Sequence, residues 1–278
     1  MMLSPNLTFG SAEWRVNMIR FLENDEKIRT RQLYEIAFND TKKFVDYYYR
    51  KRIQMNRILV LEEENQIRAM LHLNPHYLSI DGKSVQADYI YAVATLPEYR
   101  RRGYMGMLFE YAFHIMKSEG KEFTYLIPED ASIYKKYGFI FVYSKYENIP
   151  YQQARLRTGI LTRRAAAKNI DAMVNFCEIL KQRYDIFTIK NQTYFKKIMK
   201  QINAEDGFIE LMYEVDKLVG IRFVNGEGEL KIVEEITLTG YETIPGDFIK
   251  IPKIMMKEFK DGIIKNVKEK KIFINEQV

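Results

Sequence analysis

Two stretches of this chain lie on one another without a gap. RILVLEEENQIRAMLHL begins at Arg57 and FIELMYEVDKLVGIRFV begins at Phe208. Ile58 meets Ile209, Val60 meets Leu211, Ile67 meets Leu218 and Met70 meets Ile221. Each stretch reads as an apolar strand, an acidic or amide turn, and a second apolar strand, which is the pattern of a β-hairpin. A hairpin match alone is weak, because many hairpins share it. Here the flanks match too. Helical patterns precede both copies: YEIAFNDTKKFVDYYYRK before the first, DAMVNFCEILKQRYDIF and TYFKKIMKQI before the second. A further strand follows each, DYIYAVAT and ELKIVEEITL. The shared order makes the chain a duplicated unit, and 278 residues leave room for two domains. The expected division is residues 1–150 and 151–278.

The composition is globular: 47 % of residues are apolar and 29 % charged. No run of apolar residues reaches the length of a membrane-spanning helix. The opening MMLSPNLTFG has no basic segment followed by an apolar one, so no secretion signal is expected. Cys177 is the only cysteine and sits in the helical apolar pattern VNFCEIL, which reads as a core thiol. A reducing, cytoplasmic home follows. Three histidines and one cysteine without ligand spacing imply no metal site. The net charge of +6 is modest and dispersed, which excludes a dedicated nucleic-acid footprint. Trp14 reads as a packing residue. The three tyrosines of FVDYYYRK should fan around a helix, leaving at least one exposed.

The copies differ at one place. After its third strand the first copy runs VATLPEYRRRGYMGMLFEYAFHIMKSEG, whereas the second runs TGYETIPGDF. In the first, a strand ends near Leu96-Pro97 and a helix begins after Gly103, with Met107, Leu108, Tyr111, Ala112 and Ile115 as its apolar face and Gly120 as its stop. The first turn of a helix carries N–H groups without partners and a partial positive charge. Gly103 lets the backbone approach an oxygen-rich group closely. Three arginines at such a terminus oppose the helix dipole unless an anion compensates. The combination suits a diphosphate. A Walker A loop is excluded, because no Lys-Ser or Lys-Thr follows the glycine. A dinucleotide-binding βαβ unit is disfavoured, because the preceding strands read as an antiparallel meander.

VATLPEYRRRGYMGML resembles motif A of the GNAT N-acetyltransferases, R/Q-x-x-G-x-G/A. Arg100 and Gly103 match it. Met105 stands in the second small-residue place, with Gly106 one later, a departure similar to the Eis-like (enhanced intracellular survival) branch. LIPEDASIYKKYGFIFV resembles the strand, loop and tyrosine of the same branch. The resemblance covers residues 5–150, and a degenerate second copy also fits it. It implies an α+β GNAT fold, a mixed and mostly antiparallel twisted sheet with flanking helices, in tandem with a second degenerate GNAT-like domain. Relatives of this branch continue into a sterol-carrier-like domain; here only IPKIMMKEFKDGIIKNVKEKKIFINEQV remains, so that domain is expected to be absent or a stub.

The resemblance further implies acetyl-CoA as cosubstrate, lying between strands YAVAT and TYLIP. Main-chain groups of Val93, Ala94 and Thr95 would meet the pantetheine arm. Arg101, Arg102, Gly103, Tyr104, Met105 and Gly106 would hold the diphosphate, and Glu129 and Asp130 would lie near it. Tyr134 takes the general-acid place, with Tyr137 as its rival. A tyrosine is protonated at neutral pH and can donate to a leaving thiolate. The base stays open among Asp88, His72, His76 and a water. The implied activity is N-acetylation of a primary amine on a small molecule or peptide, by direct attack in a ternary complex. The alternative is a catalytically inactive CoA-binding or regulatory module. A homo-oligomer is compatible with either.

Overall fold

The structure is a computed structural model and describes residues 18–146, 148–226, 228–243, 250–264, 267 and 269–274. Trp14 lies outside the described residues.

The first unit opens with β1 (Met18–Phe21), then α1 (Arg31–Ala37) and α2 (Lys42–Tyr47). Thr41 starts α2: its side chain accepts from the Phe44 N–H, as an N-cap threonine does. The helix then widens into a π-helical turn over Tyr48–Arg52. That wider turn brings both Tyr48 and Tyr49 inward, and Tyr47 is half-buried, so none of the three tyrosines is the exposed one expected.

A meander follows: β2 (Arg57–Glu63), β3 (Gln66–Ile80) and β4 (Lys83–Thr95), all antiparallel. The turns have the expected chemistry, with positive φ at Glu64, Asn65, Asp81 and Gly82. Then come α3 (Tyr104–Ser118), β5 (Phe123–Leu126), α4 (Ala131–Lys135) and β6 (Ile140–Lys145). The buried stripe of α3 is Tyr104, Leu108, Phe109, Ala112 and Met116, rotated from the expected one. It packs on Leu59, Leu61, Leu71, Leu73 and Ile90. Each large side chain so buried contributes about 1.5–3 kcal/mol.

The second unit contains β7 (Ile149–Pro150), β8 (Ile160–Arg164), α5 (Ile170–Lys181), β9 (Ile186–Thr188), α6 (Gln192–Ala204), β10 (Phe208–Glu214), β11 (Lys217–Asn225) and β12 (Lys231–Thr237). Its sheet runs in the order β7-β12-β11-β10-β8. The repeated hairpin of the sequence is β10–β11, equivalent to β2–β3. Cys177 is buried in α5, and burial pushes its thiol up to about 12. The fold class is the one expected: a mixed, mostly antiparallel sheet with flanking helices, followed by a second unit of the same order.

The C-terminal segment departs from the expected division. β13 (Ile251–Glu258) does not stay with residues 151–250 but inserts antiparallel between β5 and β6 of the first sheet. β14 (Ile272–Phe273) pairs with β9, and β9 in turn pairs with the far end of β3 at Leu78–Ile80. The physical reason is an edge. Without β13, the strands on either side would expose unpaired N–H and C=O groups in the middle of a sheet. Local apolar patterning identifies a strand but carries no information about such a distant partner.

Met255 is fully buried in β13, against the α3 core. Met255→Ala is expected to cost about 2–5 kcal/mol, read from urea unfolding followed by far-UV dichroism. Residues 1–150 expressed alone lack the strand that joins β5 to β6 and should show no cooperative transition in the same experiment.

Candidate functional site

β4 and β5 run parallel and are paired at only three positions: Asp88–Thr124, Tyr89–Tyr125 and Ile90–Leu126. Beyond them the strands part. β5 ends at Leu126, and Pro128 has no N–H with which to continue a ladder. On β4, Ala92 sits at φ +50°, beside a register shift between Met70 and His72 of β3. Such a bulge bends and twists a strand. Tyr91 to Thr95 are therefore held on one side by β3 and face the fork on the other. Val93, Ala94 and Thr95, the residues expected along the pantetheine arm, are in this free segment; Val93 and Thr95 are half-buried and Ala94 is buried.

The arginine loop follows at the open end. Gly103 has φ +84° and caps α3. The first bond of the helix runs from the Met107 N–H to the Gly103 carbonyl at 3.1 Å, so the amides of Gly103, Tyr104, Met105 and Gly106 precede the helical ladder. The arginines are not equivalent. Arg100 Nε donates to the Thr95 carbonyl at 3.2 Å, and Arg102 donates to the Glu98 carbonyl at 3.1 Å. The Arg68 and Arg102 guanidinium groups lie over the Tyr99 ring at 4.3 and 4.7 Å. Arg101 is exposed at φ +65° and, among the described residues, makes no hydrogen bond or ion pair. Tyr104 is buried with its hydroxyl donating to Glu63, so its amide is what it can offer an anion. Gly106 is small for a reason: a Cβ there would stand 3.3 Å from the Tyr137 hydroxyl.

Tyr134, on α4, stands edge-on to Phe109 and Phe139. It packs against the same apolar cluster as Val93, Met105 and Tyr137, which brings the expected acid to the face that carries the arginine loop. Burial, then the carboxylates of Glu129 and Asp130, push its phenol above the ordinary value, so it is protonated at neutral pH. Its hydroxyl has no hydrogen-bond partner among the described residues. Asp130 has a structural job: its carboxylate accepts from the Ser132 N–H at 2.8 Å and caps α4.

The three side chains considered as bases are otherwise engaged. Asp88 is buried at the paired end of β4 and accepts from Arg57 at 2.9 Å, which also binds Glu119 beyond α3. His72 is fully buried, ring-stacked on Tyr48, with Nδ1 2.7 Å from the Tyr48 hydroxyl. Burial, assisted by Lys27, pushes its pKa down to about 3. His76 Nδ1 lies 2.5 Å from the Tyr125 hydroxyl.

On this second face of β4, away from α3, lies a group that patterning did not single out. Tyr91, the first residue past the fork, is hydrogen-bonded to the hydroxyl of Tyr34 on α1, and Tyr34 donates to Asp40 at 2.5 Å. Phe38, Tyr48 and His72 surround the pair. The only sequence signal was the alternation of tyrosines in DYIYAVAT.

Comparisons with known proteins bear on the fold. Residues 18–142 match the family described as acetyltransferase (GNAT) domain. No curated protein matches the chain. Among solved structures, a conserved protein of unknown function from Enterococcus faecalis, described as a probable N-acyltransferase, is similar at TM-score 0.69 and 13 % identity, over 90 % of this chain and 74 % of that one. Eis1 from Mycobacterium abscessus is similar at TM-score 0.59 and 14 % identity, over 87 % and 73 %. Saccharomyces cerevisiae N-myristoyltransferase with bound myristoyl-CoA is similar at TM-score 0.53 and 14 % identity, over 84 % and 61 %. At these identities the likeness is one of fold.

The state of His72 has a measurable consequence. Its folded pKa lies below its unfolded one, so between about pH 6.5 and 3 the unfolded chain binds the extra proton and stability rises with pH. Acidification from pH 6 to 5 should therefore lower the unfolding free energy by about 1.4 kcal/mol through this group. His72→Phe, which keeps the ring stack, should remove about half of the histidine contribution to that slope in urea titrations at the two pH values, because burial also pushes His76 down to about 3.

Proposed function

We propose, from the match of residues 18–142 to the acetyltransferase (GNAT) family, that the protein is an acetyl-CoA-dependent N-acetyltransferase acting on a primary amine of a small molecule or peptide, by direct attack in a ternary complex. One observation carries the reading: the fork after Ile90 and Leu126 leaves a β4 edge of free main-chain groups leading to the unpaired amides of α3.

The β4 edge would bind an amide-bearing arm as a further strand does, through Val93 to Thr95. Gly103 to Gly106 would receive the diphosphate on their N–H groups, with Arg101 and Arg102 adding charge. Arg100 holds the end of β4 in place through the Thr95 carbonyl. These residues fit the group: the amides converge at one helix end, and the open space beside Gly103 leaves room for approach.

Tyr134 serves as the acid. Its raised phenol holds a proton that a departing thiolate takes. The free hydroxyl supports this role over a packing role. Tyr137 lies over Phe109 at 4.8 Å and beside Gly106, nearer the helix terminus than the rim of α4. Cys177 is buried with a raised thiol in the second unit, which argues against a cysteine-linked acyl intermediate.

Tyr134→Phe should lower kcat by about 100-fold while leaving the calorimetric affinity for CoA within twofold. Gly103→Ala forces a side chain into the left-handed region at a cost of about 1–2 kcal/mol and should weaken CoA binding instead. Binding of CoA without thiol release across a panel of amines would favour a regulatory CoA-binding module over an enzyme.

A further inference from the structure

Resting on the acetyltransferase reading, we propose that the proton lost by the acceptor's ammonium group leaves through Tyr91, Tyr34 and Asp40, with Tyr91 touching the acceptor and Asp40 delivering the proton to solvent.

The chain of hydrogen bonds has one direction. A phenol has a single proton to give. Tyr34 donates its own to Asp40 Oδ2 at 2.5 Å, so the bond between the two phenols must be donated by Tyr91. Tyr91 Oη thus keeps a lone pair for a proton arriving from elsewhere. Tyr91 is half-buried, Tyr34 is fully buried and Asp40 is exposed. The series runs from the fork, through the core under α1, to the surface.

Position supports the assignment. Tyr91 is the first β4 residue beyond the last pair with β5, next to the Ala92 bulge. It lies on the α1 and α2 face, opposite the face that carries α3 and Tyr134. A thioester threaded through the fork would thus meet its acid from one face and its amine from the other. The groups around Tyr91 are Tyr34 and Phe38 near α1, Tyr48 beyond α2, His72 on β3 and Tyr89 on β4. None is a free carboxylate, and His72 is neutral, so Asp40 is the acceptor this group leads to. Burial raises both phenols well above their ordinary range, so neither forms a phenolate of its own accord. The transfer is concerted.

The balance is as follows. The ammonium N–H bond breaks and its proton bonds to Tyr91 Oη. The Tyr91 proton passes to Tyr34 Oη, and the Tyr34 proton passes to the Asp40 carboxylate, which then loses it to water. The nitrogen keeps the electron pair with which it attacks the acyl carbon. A second nitrogen proton, lost on amide formation, matches the one that Tyr134 supplies to the thiolate. The sum is one amide, one thiol and one proton in solvent. Tyr91 is the catalytic member; Tyr34 and Asp40 act through it as positioning residues.

Asp40→Asn tests this in the full-length protein, because Asp40 is exposed and its loss should leave the fold intact by dichroism. With the best amine of a panel, kcat should fall about 100-fold while the KM for acetyl-CoA stays within twofold. Asp40→Glu should restore most of the rate. Tyr91→Phe should fall like Asp40→Asn, and the double variant should fall no further. A readout without turnover is a hydroxyl proton resonance downfield of the amides, present in the wild type and absent from Tyr34→Phe. The relay is overturned if Asp40→Asn and Tyr91→Phe both turn over within twofold of the wild type, or if the resonance persists in Tyr34→Phe. A wild type that binds CoA but acetylates no amine overturns the acetyltransferase reading, and the relay with it.

Discussion

The structure is organised around a ladder that stops early. Two parallel strands pair over Asp88–Ile90 and Thr124–Leu126 and then separate. An unpaired backbone group removed from water costs as much as a lost hydrogen bond, so folded chains avoid such gaps. Here the gap is built in from both sides. Pro128 cannot donate, and the Ala92 bulge turns β4 away. A ligand with its own amides would satisfy the edge, as the proposed function requires.

The second dependence is electrostatic. Arg100, Arg101 and Arg102 are gathered at the positive end of α3, where the helix dipole disfavours cations. The protein offsets part of this by giving Arg100 and Arg102 backbone carbonyls and an aromatic face. Arg101 is left exposed in a left-handed conformation. A loop that disperses two charges and displays a third at a glycine-capped terminus supports the proposed anion site.

Much of this was legible in the chain because it is local. The hairpin turns, the glycine stop and the arginine loop each depend on neighbours within a few residues. What depends on distant partners was not legible. β13 reads as a strand, but that it lies between β5 and β6 follows from an edge formed more than a hundred residues earlier. His72 and Asp88 have the side chains of a base, yet the first is stacked under Tyr48 and the second is tied to Arg57. Titratable type is visible in a sequence; burial and pairing are not. The Tyr91–Tyr34–Asp40 series joins β4, α1 and the loop after it, and no spacing announces it.

The two units differ in how their matching sheet faces are covered. On the face under the paired helices, both copies stay apolar: Ile58, Val60 and Met70 match Ile209, Leu211 and Ile221. His72 breaks the pattern, since its counterpart is Phe223. A buried imidazole costs desolvation that a phenyl ring does not, and the Tyr48 hydroxyl, 2.7 Å from Nδ1, offsets part of that cost. The opposite face diverges the other way. Leu59 and Leu71, which carry α3, are matched by Glu210 and Arg222. Arg222 is buried between Glu210 and Glu235 and reaches Thr243, while Tyr151 donates to Glu210. Where the first unit lays a helix with an open, anion-seeking terminus across its sheet, the second closes the same surface with its own charges. A guanidinium already enclosed by two carboxylates has no affinity to spare for a diphosphate, so the proposed anion site has no counterpart on this surface of the second unit.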